Sequence, residues 1–185
     1  GALSNDARMY AMVSPFLENT ARWTLVTVGS FDGFPHWLPV MSGSPEHKRV
    51  AFADPAVRAG LRADADAPDK QNPSVHAIRW DLLHVARVAS EERRRFVERS
   101  VADIARELGK EPLDAFLDLS LDEDMKTLFY FRSDVSTAEM AKTLADPFVL
   151  PGLSDGGAHV TRRCDSHFST FLLSFWVREQ HALSL

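Results

Sequence analysis

An aspartate followed by two glycines is the pattern in this sequence best suited to chemistry. Asp155 follows a short apolar run at residues 148–150, and Gly156 and Gly157 come directly after it. The glycines let the backbone turn sharply and let a ligand approach closely. A carboxylate just after a strand can ligate a metal ion and take a proton from a metal-bound water. Asp-Gly is also a common turn, so a purely structural turn is the other interpretation.

Other metal-ligand types are sparse around this aspartate. Cys164 is the single cysteine, so the chain has neither a disulfide framework nor a multi-cysteine zinc site. His159 lies four residues after Asp155, where a loop histidine without a ligand role is the alternative interpretation. The 7 histidines form no His-x-His pair. Because a zinc site takes about three or four protein ligands, one carboxylate does not make one.

The second half of the chain predicts the elements that position Asp155. Residues 127–131 predict a strand, and a capping box at Ser136 predicts a helix that ends before Asp146-Pro147. Residues 148–150 predict a short strand, and the apolar spacing within residues 168–176 predicts a last helix with a core-facing stripe. This alternation favours an α/β fold with parallel strand pairing.

Upstream of these elements the signals are mixed. Two further helices are predicted, one from a capping pattern at residues 100–103 with a stop at Gly109, and one from Pro112. Another helix is predicted to open at Asp54-Pro55. The remaining predictions are strands at residues 7–13, 23–28 and 81–88, an aromatic and Gly/Pro-rich shaped loop at 31–45, and a loop at 63–73.

Composition excludes several function classes. The chain has 185 residues and a net charge of −5, so it has no electrostatic footprint for nucleic acid. No window of about 18 apolar residues exists, so no membrane span is expected, and a cytoplasmic location is the expectation. The length is short for a complete (β/α)8 barrel, which needs roughly 200 to 250 residues. Since no initiator Met stands at Gly1, a fragment or a processed chain is expected.

The text around Asp155 resembles a known family. Residues 150–160 (LPGLSDGGAHV) are similar to the last metal-site motif of the amidohydrolase superfamily, in the form used by N-acyl-D-amino-acid deacylases. Residues 164–165 (CD) and 168–179 (FSTFLLSFWVRE) look like the family segment that follows. Upstream, residues 99–118 are similar to the family's paired helices, and further likenesses lie at residues 53–58 (ADPAVR), 33–37 (GFPHW) and 9–15 (MYAMVSP).

The resemblance implies a fold. It implies the C-terminal part of a (β/α)8 barrel, in which a long, mostly helical insertion or lid at about residues 16–125 separates the last two barrel strands. Residues 126–185 are then expected to hold the last barrel strand, the Asp155 motif and the following helix.

The resemblance also implies an activity, which is zinc-dependent hydrolysis of the amide bond in N-acyl-D-amino acids or related small molecules. Asp155 is then the metal-site residue, general base and general acid. Gly156, Gly157, His159 and Arg162 are the candidate substrate-binding residues.

Several departures limit what the resemblance implies. The family's remaining metal ligands are absent from this sequence, so the chain alone is not expected to be active. Family members often have His where this chain has Phe175, and neither Arg162 nor Arg163 aligns with the arginine that holds the substrate carboxylate. The alternative is a non-catalytic oligomerising or binding module, a homo-oligomer whose copies cover exposed barrel faces.

Overall fold

The computed structural model of the chain describes residues 9–17, 21–27, 31–66, 77–152 and 165–184. The fold is mixed α/β, and its strands in the described ranges are short and lie in small sheets. The chain forms two compact units. The first comprises residues 1–21 with 132–185, and the second comprises residues 22–131.

The unit of residues 22–131 is mostly helical. It includes a 3₁₀ helix of about two turns at Glu91–Phe96. Its other described helices and strands are α1 (Trp37–Met41), α2 (Pro45–Ala53), α3 (Pro55–Asp66), β2 (Leu83–Arg87), α4 (Val101–Leu108), α5 (Pro112–Asp122) and β3 (Leu128–Phe131).

Strands β2 and β3 form an antiparallel pair at the centre of this unit. Leu83 pairs with Phe131 and Val85 with Phe129, and the register shifts between Val85 and Arg87. Trp23 adds one bridge on β3, because its N–H and C=O exchange hydrogen bonds of 3.0 and 2.8 Å with Phe129. The strands predicted at residues 81–88 and 127–131 are therefore confirmed within a residue or two at each end.

Aromatic side chains fill the core of this unit. Phe31 stacks on Trp37 with ring centroids 4.4 Å apart, and Phe116 meets Phe129 edge to face at 4.7 Å. Phe34 is also buried. The segment at residues 31–45 is thus confirmed as one shaped by aromatic burial, although residues 37–41 within it form helix α1 rather than loop.

Local end signals define the helices of this unit. The Ser100 hydroxyl accepts from the Asp103 N–H at 3.1 Å, and Gly109 ends α4 in the left-handed region at φ +63°. Pro112 stands at the first turn of α5. The helices predicted from Ser100, Pro112 and Asp54-Pro55 are confirmed, because such signals depend only on neighbouring residues.

The unit formed by residues 1–21 and 132–185 contains a parallel strand pair. Strand β1 (Ala11–Val13) pairs in parallel with β4 (Val149–Pro151), with Ala11 opposite Val149 and Val13 opposite Pro151. The described helices are α6 (Thr137–Leu144) and α7 (Phe168–Phe171), which continues as a π-helix over Leu172–Glu179. The capping box of α6 is confirmed, since Ser136 and Glu139 each bond the other's backbone N–H.

The core of this unit centres on Trp176, which is fully buried and packs in one cluster with the buried residues Met140 and Leu144. Its indole Nε1 donates to the Pro15 carbonyl at 2.8 Å, which ties the last helix to the segment after β1. The predicted stripe of the last helix is confirmed as packing. Phe171 and Phe175 stack at 5.0 Å, so Phe175, where the family often has His, is part of this packed surface.

Three sequence-based predictions are wrong. Of residues 23–27, the described part of the strand predicted at 23–28, only Trp23 pairs, because Thr24 and Thr27 bond each other and residues 25–27 form a turn. Helix α3 continues to Asp66, so residues 63–66 are not loop, while residues 67–73 lie outside the described residues. Strand β3 pairs antiparallel with β2, so the parallel partner of β4 is β1 instead.

None of the described helices is long and apolar enough to span a lipid bilayer.

Candidate functional site

The residues singled out from the sequence lie between β4 and α7. Asp155, Gly156, Gly157, His159 and Arg162 all fall within residues 153–164, outside the described residues. The structure describes the residues on either side of this segment, up to Gly152 before it and from Asp165 after it. Near Asp155 the structure therefore describes these neighbouring residues only.

The segment leaves from the carboxyl end of a parallel strand pair. The Ala11 N–H donates to the Phe148 carbonyl and the Gly152 N–H donates to the Val13 carbonyl, both at 2.9 Å. The first bond joins the amino ends of β1 and β4, and the second holds their carboxyl ends side by side. In α/β proteins ligands bind at this edge of a parallel sheet.

Hydrogen bonds to Asp146 fix the residue at which β4 begins. The Asp146 carboxylate accepts from the Phe148 N–H at 2.8 Å, and its carbonyl accepts from the Val149 N–H at 3.0 Å. This turn and Pro147 end α6 and redirect the chain into the strand. The sequence Asp146-Pro147 therefore sets where β4 begins.

The described residues that follow this segment lie near the same edge. A Cβ placed on Gly152 would lie 3.7 Å from the Phe168 ring, so the start of α7 is close to the end of β4. Phe16, three residues after β1, packs on His167 and Phe171 with ring centroids 4.9 and 4.8 Å away. The described residues on either side of 153–164 thus lie near each other at the carboxyl edge of the β1/β4 pair.

Two polar residues on the returning flank were not among the candidates. Asp165 is buried at 2% exposure, which is unusual for a carboxylate and normally requires a polar partner. His167 is exposed and packs its ring on Phe16. The sequence could have pointed to both residues, because they lie between Asp155 and the apolar stripe of the last helix.

Metal-binding capacity is limited in the part of the chain that the structure describes. There, no group of three or more His, Cys, Asp or Glu side chains could hold a metal ion. A zinc ion needs about three or four protein ligands. The described residues by themselves therefore do not fit the zinc site that the family resemblance implies.

The unit of residues 22–131 contains a buried carboxylate, Glu123, whose hydrogen bonds stabilise the fold. Glu123 accepts hydrogen bonds from the N–H and hydroxyl of Ser90 and from the Ala89 N–H, and Arg93 lies 3.8 Å away. Burial raises the pKa of Glu123, but these donors and Arg93 outweigh it, so the pKa lies below its ordinary value. Both oxygens of this ionised carboxylate accept hydrogen bonds, so Glu123 holds residues 89–90 in place and is poorly placed for proton transfer.

A histidine–aspartate pair joins two helices of the same unit. Asp64 accepts from the His36 backbone N–H at 2.7 Å and lies 2.8 Å from His36 Nδ1. His36 is 59% exposed at its side chain, whereas Asp64 is 10% exposed. Because Asp64 bonds both the ring and the backbone just before α1, the pair ties the start of α1 to α3.

Basic side chains in one groove of this unit are already paired. The groove has a volume of about 370 Å³ and includes Arg93, Arg95 and Lys110 in its lining. Lys110 bonds Asp118 at 2.6 Å, Arg95 lies 3.7 Å from Glu107, and Arg93 bonds an acidic residue of α5. The groove therefore has little charge left to attract an anion.

The comparisons with known proteins found no match for the chain. No family model, no curated protein and no solved structure matches it.

Proposed function

We propose that this chain is the C-terminal part of a metal-dependent amidohydrolase barrel that hydrolyses the amide bond of N-acyl-D-amino acids or related small molecules. The observation that carries the proposal is the position of Asp155 in the chain. It comes four residues after Pro151, the last residue of a strand that pairs in parallel with β1. The likeness of residues 150–160 to the family's last metal-site motif supplies the chemistry.

The strand order supports the partial barrel. Neighbouring strands of a (β/α)8 barrel are parallel and present their carboxyl ends to the active site. In the proposal, β1 and β4 are the last two barrel strands. The residues between them include a compact unit at 22–131, as expected if a lid or insertion domain separates those strands.

The proposed roles follow from residue chemistry. Asp155 takes the proton of the attacking water and returns it to the amine that leaves, so one carboxylate acts as base and then as acid. Gly156 and Gly157 leave room for the substrate backbone, and His159 and Arg162 provide polar contacts to the substrate. All five residues lie outside the described residues, so these roles come from the sequence.

The metal requires ligands beyond those described. Zinc would supply a polarised carbonyl and an activated water when bound. The described residues do not assemble its ligand set, and Asp155 supplies at most one ligand. The proposal therefore expects catalysis only when further ligands complete the site.

The test compares Asp155→Asn with a matched control. The chain is assayed alone and within the longest reading frame that encodes it, with added Zn²⁺, for amine release from N-acetyl-D-amino acids and their L-enantiomers. We expect hydrolysis of the D-compounds, lowered about 10³-fold in kcat/KM by Asp155→Asn, since general acid–base catalysis contributes about 10²–10⁴-fold. The control Asp66→Asn changes an exposed residue at the end of α3 and should leave kcat/KM unchanged.

Two results would refute this proposal. One is full activity in Asp155→Asn. The other is the absence of any hydrolysis in the complete reading frame with zinc bound.

A second candidate function is a non-catalytic oligomerising module. One observation favours it, which is the apolar face that β1 and β4 leave exposed, with Met12 and Leu150 more than half exposed. Such faces mark interaction sites. Zinc-independent self-association without any hydrolysis in the complete reading frame would select this candidate over the first.

A further inference from the structure

Residues 86–97 form a loop whose two ends are joined. The Val85 carbonyl accepts from the Glu98 N–H at 2.8 Å, which closes the loop just outside its ends. The buried Glu123 carboxylate accepts from the Ser90 N–H at 3.0 Å and holds the middle of the loop. Compact loops of about this length with adjoining ends often carry function. These hydrogen bonds hold the loop in one shape before any ligand arrives, which lowers the entropic cost of binding.

A pocket lies within this loop, and we call it the loop pocket. It has a volume of about 350 Å³, and every residue that lines it falls within residues 86–97. This volume is at the lower end of the roughly 300–1,000 Å³ of small-molecule sites. Its lining includes the apolar residues Ala86, Val88, Ala89 and Val97. The loop pocket therefore suits a small molecule rather than a folded partner.

The loop pocket has an excess of positive charge. Arg87 and Arg94 line it, against one acidic residue, Glu91. Arg94 bonds both Glu91 oxygens at 3.1 and 3.2 Å, but the side chains are 73% and 81% exposed, so this ion pair contributes little and exchanges readily with an incoming anion. In the part of the chain that the structure describes, Arg87 is exposed and no carboxylate bonds it. The lining therefore favours an anionic ligand.

Val88 adds a backbone donor and a backbone acceptor to this lining. It is half-buried, yet no described residue bonds its N–H or its C=O. Buried backbone polar groups almost always have partners, so a ligand that supplies both partners is expected. On the edge of a strand, the N–H and C=O of one residue pair with the C=O and N–H of one further extended residue. Since Val88 directly follows β2, it offers this pairing position inside the loop pocket.

We propose that the loop pocket binds a small α-amino acid derivative, recognised by its carboxylate and by the N–H on the adjoining carbon. The Val88 N–H donates to the carboxylate and the Val88 carbonyl accepts from the ligand N–H, in the pattern of a paired strand residue. Arg87 balances the charge of the carboxylate, and Arg94 is the second cation. The site belongs to the unit of residues 22–131 and is independent of the hydrolase proposal, which concerns Asp155.

An NMR titration of the whole chain with N-acetylglycine tests the site, at constant ionic strength and without zinc. We expect saturable shifts of backbone amide signals centred on Val88, with a dissociation constant on the order of 1 mM, because an open site with few contacts binds weakly. Arg87→Gln should weaken binding at least about 10-fold, since a charge-assisted hydrogen bond is lost. The matched control Arg106→Gln changes an arginine of α4 that is 77% exposed, and should leave binding unchanged.

Two further ligands and one further variant test the chemistry of recognition. Acetate has the carboxylate without the N–H and should bind at least about 5-fold more weakly than N-acetylglycine. Asp155→Asn should bind N-acetylglycine like wild type, so a failed hydrolase proposal would leave this site in place. The proposal is overturned by any of four results: no saturable shift up to about 20 mM, binding unaffected by Arg87→Gln, binding lost in Asp155→Asn, or inorganic phosphate shifting the Val88 signal as strongly as N-acetylglycine.

Discussion

Replacing Glu123 with glutamine is expected to destabilise the unit of residues 22–131 strongly. The Glu123 carboxylate is buried and accepts three hydrogen bonds, from the Ala89 N–H, the Ser90 N–H and the Ser90 hydroxyl. Glutamine can keep one oxygen on both backbone N–H groups, since they bond the same carboxylate oxygen, but its NH₂ replaces the charged oxygen that accepts from the Ser90 hydroxyl and faces Arg93. Hydrogen bonds to charged groups are worth about 1.5–3 kcal/mol each, and unpaired buried donors cost about 1–3 kcal/mol. We therefore expect a loss of about 2–4 kcal/mol at pH 7.

The pH dependence of this loss identifies the ionised carboxylate as its origin. The pKa of Glu123 lies below its ordinary value of 4.5. Its contribution is therefore fully present above about pH 4.5 and is lost as the pH falls through the lowered pKa of the folded state. The difference between wild type and Glu123→Gln should be constant from pH 5 to 7 and shrink below pH 4.5.

Urea unfolding followed by tryptophan fluorescence measures this difference, since Trp23, Trp37 and Trp80 all belong to this unit. The matched control is Glu91→Gln, whose side chain is 81% exposed and pairs with the exposed Arg94. An exposed pair contributes about 0–1 kcal/mol, so this control should stay close to wild type. A Glu123→Gln protein within about 0.5 kcal/mol of wild type, or a loss unchanged down to pH 3, would refute the reasoning.

Two further predictions concern single contacts. Gly109→Ala should cost about 1 kcal/mol in urea unfolding, because Gly109 has φ +63° and nothing lies within 4 Å of an added Cβ, so the cost is conformational only. Gly109→Asn should cost less, and equal losses in both variants would contradict this origin. Trp176→Phe removes the hydrogen bond to the Pro15 carbonyl and part of a buried ring, and should cost about 2–3 kcal/mol. Amide hydrogen exchange should rise in residues 9–17 and 165–184, and unchanged protection there would show that this contact is dispensable.

Helix boundaries were the most predictable part of this chain. Ser100, Gly109, Pro112 and the Ser136 capping box act through atoms within a few residues along the backbone. Their chemistry is therefore visible without any knowledge of the fold. The aromatic burial at residues 31–45 was also predictable, because large rings require partners whatever those partners are.

Strand pairing was not predictable in the same way. Residues 127–131 alternate with helices as in a parallel unit, yet β3 pairs antiparallel with β2, some 45 residues upstream. At residues 23–28 the β-branched composition predicted a strand, but two threonine hydroxyls form a turn that ends the pairing after Trp23. Short apolar runs have the same composition whichever neighbour they pair with.

The candidate site also has a part that the sequence predicts and a part that only the tertiary structure shows. From the amino-acid sequence alone come Asp155, the glycines after it and the short strand before it, because a turn and a strand are local patterns. Tertiary structure decided that β4 lies beside β1, that Trp176 holds the segment after β1, and that Glu123 is buried. These contacts join residues far apart in the chain, and their free energy depends on burial and geometry that no local pattern encodes.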